Sequence, residues 1–192
     1  MEDIISLVGP RAAGKTTFGK KLAKRLGYEF IDLDIVMMEQ LKSYGGIFGY
    51  SEKYGWSAYM DRLHYTLKKL FKELEGKKVI LDLGGGTISS EFPQSEQNAH
   101  LVRRHSKICL VLPHEEDDKN VEVLVEREKE RLRTNESPWA IGWSEKKVVK
   151  KVIKEYFDRL PNFKKYAHHN VYTADQSPRK VAKLLIKQLN ID

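Results

Sequence analysis

The stretch GPRAAGKTTF, Gly9 to Phe18, restricts the fold more than any other part of this chain. Gly9, four residues, then Gly14, Lys15 and Thr16 match G-x-x-x-x-G-K-[ST], a loop whose backbone N–H groups turn toward phosphate oxygens. The flanks agree with it. DIISLV ahead is a short apolar run suited to a buried parallel strand. TTFGKKLAKRLG behind places Phe18, Leu22, Ala23 and Leu26 at helical spacing, with Gly27 as a stop. An ordinary glycine turn entering a helix would explain the glycines but not Lys15 and Thr16 standing in register.

Each residue type has a physical task in such a loop. Gly9 and Gly14, with the small Ala12 and Ala13, let the backbone curl inward, and the positive end of the following helix lies behind it. Lys15 is a mobile cation for the outer phosphates, the Thr16 hydroxyl is a hard oxygen ligand for magnesium, and Thr17 completes the segment that holds the nucleotide. A nucleoside triphosphate, read as ATP, with Mg²⁺ is the expected ligand pair.

The 192 residues are read as a single domain, residues 1–192, with ample size for a core. No run of about 18 apolar residues occurs, so no membrane span is expected. The amino terminus passes directly into the first strand without a leader pattern, and Cys109 in KICLVL, the single cysteine, reads as a small core residue. These features predict a cytoplasmic location. The net charge of +7 comes from Lys and Arg interleaved with acids along helical stretches. That pattern belongs to solvated helix faces, and the excess charge suits anionic nucleotide and substrate, so nucleic acid is not the expected partner.

Strand-like runs recur at 4–8, 29–33, 78–83, 107–112 and 170–173. Helical patterns occupy 15–26, 34–43, 56–75, 94–104, 120–133, 144–158 and 178–190. Such alternation predicts an α/β fold of βαβ units, with a parallel sheet covered on both faces and ligands at the carboxyl ends of its strands.

Three groups follow those strands. FIDLDIVM places Asp32 and Asp34 two apart, which in a strand sends both carboxylates to one side. One suits a magnesium shell and the other a proton from an attacking hydroxyl, although Asp34 could instead cap the next helix. In VILDLGGGTI, Asp82 ends an apolar strand, where it can hold a magnesium-bound water or the Thr16 hydroxyl. Gly84, Gly85 and Gly86 then suggest a backbone that approaches a ligand closely.

Together with RLPNFKKYA and NVYTADQSP near the carboxyl end, these landmarks resemble the shikimate kinase family of small-molecule kinases, over nearly the whole chain. The resemblance implies a three-layer P-loop kinase fold with a five-stranded parallel sheet. It also implies ATP and Mg²⁺, a substrate-binding helical region at about 34–75 and a lid at about 113–143. By the same resemblance Asp34 contacts the acceptor hydroxyl as its base, Asp32 is a magnesium-shell acid, and Gly84, Gly85 and Gly86 line the acceptor site. Arg159 in RLPNF grips a substrate carboxylate, which makes a hydroxy acid the first acceptor to test. The DQSPRK segment, with Ser177 and Pro178, packs on adenine.

Two departures stand out. Where the family carries Gly-Glu-x-x-Phe-Arg, this chain reads GWSAYM, with Trp56 for the acid and Met60 for the arginine, so shikimate itself is in question as the acceptor. The arginine before the lid proline is Ser137. Arg131 and Arg133 are the candidates for a lid arginine on the transferring phosphate, while Arg127 and Arg131, four apart on one helix face, equally suit salt bridges to neighbouring Glu residues. Trp139 and Trp143, four apart, read as lid packing rather than as a stacking platform. Two rival functions fit the same residues: a nucleotide kinase, which needs more acceptor-side arginines, and a non-catalytic, ATP-dependent binding module with RNA as a candidate partner. Subunit number is not legible in the sequence.

Overall fold

The computed structural model describes residues 4–89, 92–174 and 178–189. Its five strands are β1 (Ile4–Val8), β2 (Glu29–Asp32), β3 (Val79–Asp82), β4 (Lys107–Leu112) and β5 (His169–Tyr172). They form one sheet in the order β2-β3-β1-β4-β5, every neighbouring pair parallel. The helices among the described residues are α1 (Lys15–Leu26), α2 (Leu33–Gln40), α3 (Gly46–Tyr54), α4 (Trp56–Glu73), α5 (Pro93–His105), α6 (Asp117–Arg133), α7 (Glu145–Tyr166) and α8 (Pro178–Leu189).

The near-continuous apolar strands are explained by burial on both faces. In β1, Ile4 and Val8 join one core with Leu81 and Leu110, while Ile5 and Leu7 join the other with Ile80 and Val111. The second core is closed by Phe18, Leu22 and Ala23 of α1 and by Val181, Ala182 and Leu185 of α8. The first is closed by Leu63, Leu67 and Phe71 of α4, Ala99 and Val102 of α5, Leu124 of α6 and Tyr156, Phe163 and Tyr166 of α7. Cys109 lies in β4 as expected, wholly buried, and burial pushes its thiol up to about 12. Among the described residues no helix is long and apolar enough to cross a membrane.

Three local expectations need correction. The 34–43 pattern ends at Gln40 and is followed by a 3-10 turn at Lys42–Tyr44 and by α3, which the sequence reading left out. Its glycines look like breakers, yet Gly45 and Gly46 supply the positive φ that turns the chain, and Tyr44 and Tyr50 then meet edge to face at 5.2 Å. Second, α7 does not stop at 158 but runs through Pro161 to Tyr166. The proline removes one helical bond on a side where Phe157 is half exposed, so water can satisfy the freed carbonyl while Tyr156, Leu160 and Phe163 hold the helix to the core. Third, Asp32 and Asp34 do not share a strand. β2 ends at Asp32, and Asp34 is already in the first turn of α2.

Candidate active site

Beta1 lies between β3 and β4, so its carboxyl end and theirs open onto one cleft. That cleft, about 1350 Å³, is large enough for a nucleotide and a second small molecule. The loop from Gly9 to Thr17 forms its floor, and Ala12, Gly14, Lys15, Thr16 and Thr17 line it. Gly9 is required sterically: at φ 146° a β-carbon would stand 2.3 Å from the Val111 carbonyl oxygen. Ala13 is buried in the first core and shapes the turn from behind.

Helix α1 begins on Gly14 in a left-handed conformation without a side-chain cap. Its first-turn N–H groups therefore face the cleft with only water or an anion to bond, a fit for phosphate. The buried Lys15 ammonium donates to the Gly9 carbonyl at 3.1 Å and the Pro10 carbonyl at 2.9 Å. Burial lowers its pKa, while Asp82 and Asp34 pull the other way.

The carboxylates gather opposite. Thr16 Oγ1 donates to Asp82 Oδ2 at 2.8 Å, and the Gly84 N–H donates to Asp82 Oδ1 at 3.0 Å. Asp32 pairs in register with Asp82 across β2 and β3. It is Asp32, not Asp34, that caps α2, accepting from the N–H groups of Asp34 at 3.0 Å and Ile35 at 3.4 Å. Burial first, then Asp82 and Asp34, raise the Asp32 pKa. Among the described residues no three His, Cys, Asp or Glu side chains are arranged to hold a metal alone. A hydroxyl and one or two carboxylates beside a phosphate loop nevertheless suit magnesium, which takes its remaining ligands from phosphates and water.

Capping by Asp32 leaves the Asp34 carboxylate free of that duty. It lines the cleft and lies against Gly84, where at φ 68° a β-carbon would be 2.7 Å from Asp34 Oδ2. Burial raises the Asp34 pKa and Asp82 adds to the rise, against the lowering pull of Lys15 and Arg11. Of the three glycines, Gly84 makes room for Asp34, while Gly85 offers its carbonyl to Arg159 Nη1 at 3.2 Å and Gly86 has open space beside it.

Arg159 is buried within α7 rather than at a helix end, and it reaches the cleft. Its Nη2 lies 3.2 Å from Glu155 Oε1, which also holds Lys151 Nζ at 2.7 Å. The remaining acceptor-side wall is apolar: Met60, Tyr59 and Trp56 of α4 with Ile47 and Phe48 of α3. Arg62 is exposed and outside this wall.

The two lid-arginine candidates are engaged elsewhere. Arg133 is exposed, off the cleft, and paired with Glu130 at 3.4 Å and Glu145 at 3.7 Å. Arg131 touches the cleft but is held by Glu128 Oε1 at 2.7 Å and the Glu136 carbonyl at 3.0 Å. Arg127 donates to the Ala12 carbonyl at 2.9 Å. Trp139 and Trp143 do pack together, ring centroids 5.6 Å apart, and both line the cleft. Ser177 lies outside the described residues, and Pro178 is the first residue of α8. The sequence reading missed Arg11 and Glu155 as cleft residues, and Glu128 as the buried carboxylate that holds Arg131. Glu155 carried a signal, standing four residues before Arg159 on one helix, whereas Glu128 had none beyond its place among many helical acids.

The comparisons with known proteins agree with this geometry. A family model described as shikimate kinase matches residues 11–190. Shikimate kinase 2 of Yersinia enterocolitica serotype O:8 / biotype 1B is 30% identical over 186 residues, covering 97% of this chain and 95% of its own length. The solved shikimate kinase from Acinetobacter baumannii, in complex with shikimate, superposes with a TM-score of 0.74 at 26% identity, covering 97% of this chain and 93% of that one. The shikimate kinase from Bacteroides thetaiotaomicron shares the fold with a TM-score of 0.76 at 21% identity, each chain covered to 98%.

The Gly84 contact can be checked directly. Gly84→Ala combines a left-handed backbone with a methyl pressed on Asp34 and is expected to cost about 1–3 kcal/mol, a clear loss of melting temperature. Gly86→Ala meets nothing within 4 Å and should melt like the unmodified chain. Equal melting temperatures for the two variants would show that residue 84 does not confine Asp34.

Proposed function

This chain belongs to the shikimate kinase family, and on that footing we propose which of its residues carry the reaction. It is an ATP- and Mg²⁺-dependent phosphotransferase whose acceptor is a hydroxyl of a small molecule. The observation that supports the reading best is Asp34, a carboxylate at the strand ends that lies against Gly84 and opens onto the same cleft as the phosphate loop.

The phosphate tail of ATP lies on the N–H groups at the start of α1, with Lys15 leaving its carbonyl partners to meet the outer phosphates. Thr16, Asp82 and Asp32 are the residues that would hold Mg²⁺, directly or through water, and the ion would supply positive charge to the phosphates. Asp34 accepts the acceptor's hydroxyl proton as the oxygen forms its bond to the terminal phosphorus and the bond to the leaving diphosphate oxygen breaks. Residues 113–143 serve as the lid. Trp139 and Trp143 cover the cleft from that side and keep water from competing as the acceptor.

On the acceptor side, helices α2 to α4 bring no cation to the cleft. That suits an alcohol better than a phosphate-bearing acceptor, since a dianion there would lack partners. The carbon skeleton of the acceptor lies against Met60, Tyr59 and Trp56. If it is a hydroxy acid, Arg159 is the group that grips the carboxylate, and to do so it must exchange Glu155 for the substrate.

Two measurements test these roles. Asp34→Asn is expected to lower kcat by about 10²- to 10⁴-fold. Burial holds the Asp34 proton to higher pH than an ordinary aspartate, so kcat/KM, which reports the free enzyme, should rise as pH climbs through that raised value. The Asn variant should lack this limb, and unchanged turnover in it would remove Asp34 from catalysis. In a panel of acceptors followed by ADP formation, Glu155→Gln should lower KM for hydroxy acids by about 3- to 10-fold, near 1 kcal/mol, and leave neutral polyols unchanged. A rise in KM for both classes would mean that Glu155 positions Arg159 rather than competing for it.

A further inference from the structure

The cations around the cleft are nearly all spoken for. Lys15 donates to two loop carbonyls, Arg127 to a third, Arg131 is bound by Glu128, and Arg159 and Lys151 share Glu155. Arg11 is different. It sits inside the phosphate loop, lines the cleft, and makes no hydrogen bond or ion pair with any described residue. Its Nε is shut off from solvent without a partner. Its guanidinium lies over the face of Trp139, with Cζ 4.8 Å from the ring centroid.

A guanidinium in that position is expensive for the fold. Stacking on an indole offsets only part of what it costs to hold a charged group out of water without a hydrogen-bond partner. Burial accordingly lowers the Arg11 pKa, and the carboxylates of Glu155 and Glu128 stabilise it only from a distance. The stacking partner is itself fixed: Trp139 Nε1 donates to Glu128 Oε2 at 3.2 Å, and that wholly buried carboxylate also takes Ser137 Oγ at 3.0 Å and Arg131 Nη1 at 2.7 Å. The guanidinium plane is thus set by a rigid ring while its donors remain unspent. Its electrostatic neighbours include Asp34 and Arg159, which places it where the floor of the cleft meets the acceptor side.

We propose that Arg11 is the catalytic arginine of this enzyme, contacting the phosphoryl group in flight from the loop itself while Trp139 of the lid side fixes its plane. The inference rests on the Mg-ATP phosphotransfer reading above. As the phosphorus leaves the diphosphate oxygen and bonds the acceptor oxygen, charge on the equatorial oxygens is met by the planar donors of Arg11, and the acceptor proton goes to Asp34. Arg11 takes no proton in this step. It supplies the partner-ready charge that the lid arginines, bound to Glu128, Glu130 and Glu145, do not.

The test is binding of Mg-ADP with and without aluminium fluoride, a mimic of the phosphoryl group in transfer, to the full chain and to Arg11→Gln, Arg11→Lys and Arg11→Met. All three variants should bind Mg-ADP within about 2-fold of the unmodified chain. Arg11→Gln should bind the fluoride complex about 30- to 100-fold more weakly, and Arg11→Lys should recover only part of that loss because an ammonium lacks the planar fork. Arg11→Met keeps apolar contact with Trp139 and removes the unpaired charge, so it should melt no lower than the unmodified chain. Undiminished fluoride-complex binding in Arg11→Gln, equal loss of both ligands, or a markedly lower melting point in Arg11→Met would each overturn the role of Arg11 alone. Failure of the unmodified chain to bind Mg-ADP would overturn the nucleotide reading beneath it.

Discussion

The start of α1 carries no side-chain cap, and the surrounding architecture is arranged about the positive potential that this leaves at the end of β1. Gly9 turns the loop against the Val111 carbonyl, Gly14 opens the helix in a left-handed conformation, and Lys15 is buried beside them. A side-chain cap would have satisfied one of those N–H groups and closed the site. The same sheet that presents the helix end also delivers its counter-charge. Beta2 and β3 end in register on Asp32 and Asp82, so the carboxylates arrive one strand apart on the far side of the loop.

That crowding explains how three similar acids are given different work. Asp82 is tied by Thr16 and the Gly84 N–H, and Asp32 is tied by the first turn of α2. Both lose freedom to backbone and hydroxyl donors, which suits groups that hold water or a metal in place. Asp34 sits one helical step further on, with neither duty. Its freedom depends on Asp32 having taken the capping position, so a shift of the helix start by two residues would have reversed the roles.

Much of this was legible because it follows from spacing. The loop pattern fixes its own geometry, the double-sided burial of β1 shows as an uninterrupted apolar run, and the bounds of α1 follow from Lys15 and Gly27. What escaped depends on tertiary placement. GGIFGYSEKYG reads as loop because glycine penalises a helix locally, whereas packing of Tyr44, Tyr50 and Tyr54 on one another secures α3. Pro161 reads as a terminus, but the buried face of α7 outweighs one lost hydrogen bond. Asp32 and Asp34 both line the cleft, but strand alternation does not bring them there, since β2 ends before the second of them. The lid arginines were chosen by proximity to the proline, and sequence alone does not reveal which of several neighbouring acids bind them.

Glu128 shows why proximity misled. A wholly buried carboxylate is stable only if its oxygens are satisfied, and the donors available are Arg131, Ser137 and Trp139. Once Arg131 is committed there, moving it toward a phosphate leaves Glu128 short of its only cationic partner among these donors. Ser137, at the position that carries an arginine in the family resemblance, is likewise turned into this knot and is buried outside the cleft lining. The lid side is therefore held by its own polar interior and spends its donors on itself, so what it contributes to the cleft is aromatic surface. Charge for the transferring group has then to come from the opposite wall, and the only arginine there without a committed partner among the described residues is in the phosphate loop, directly beneath Trp139.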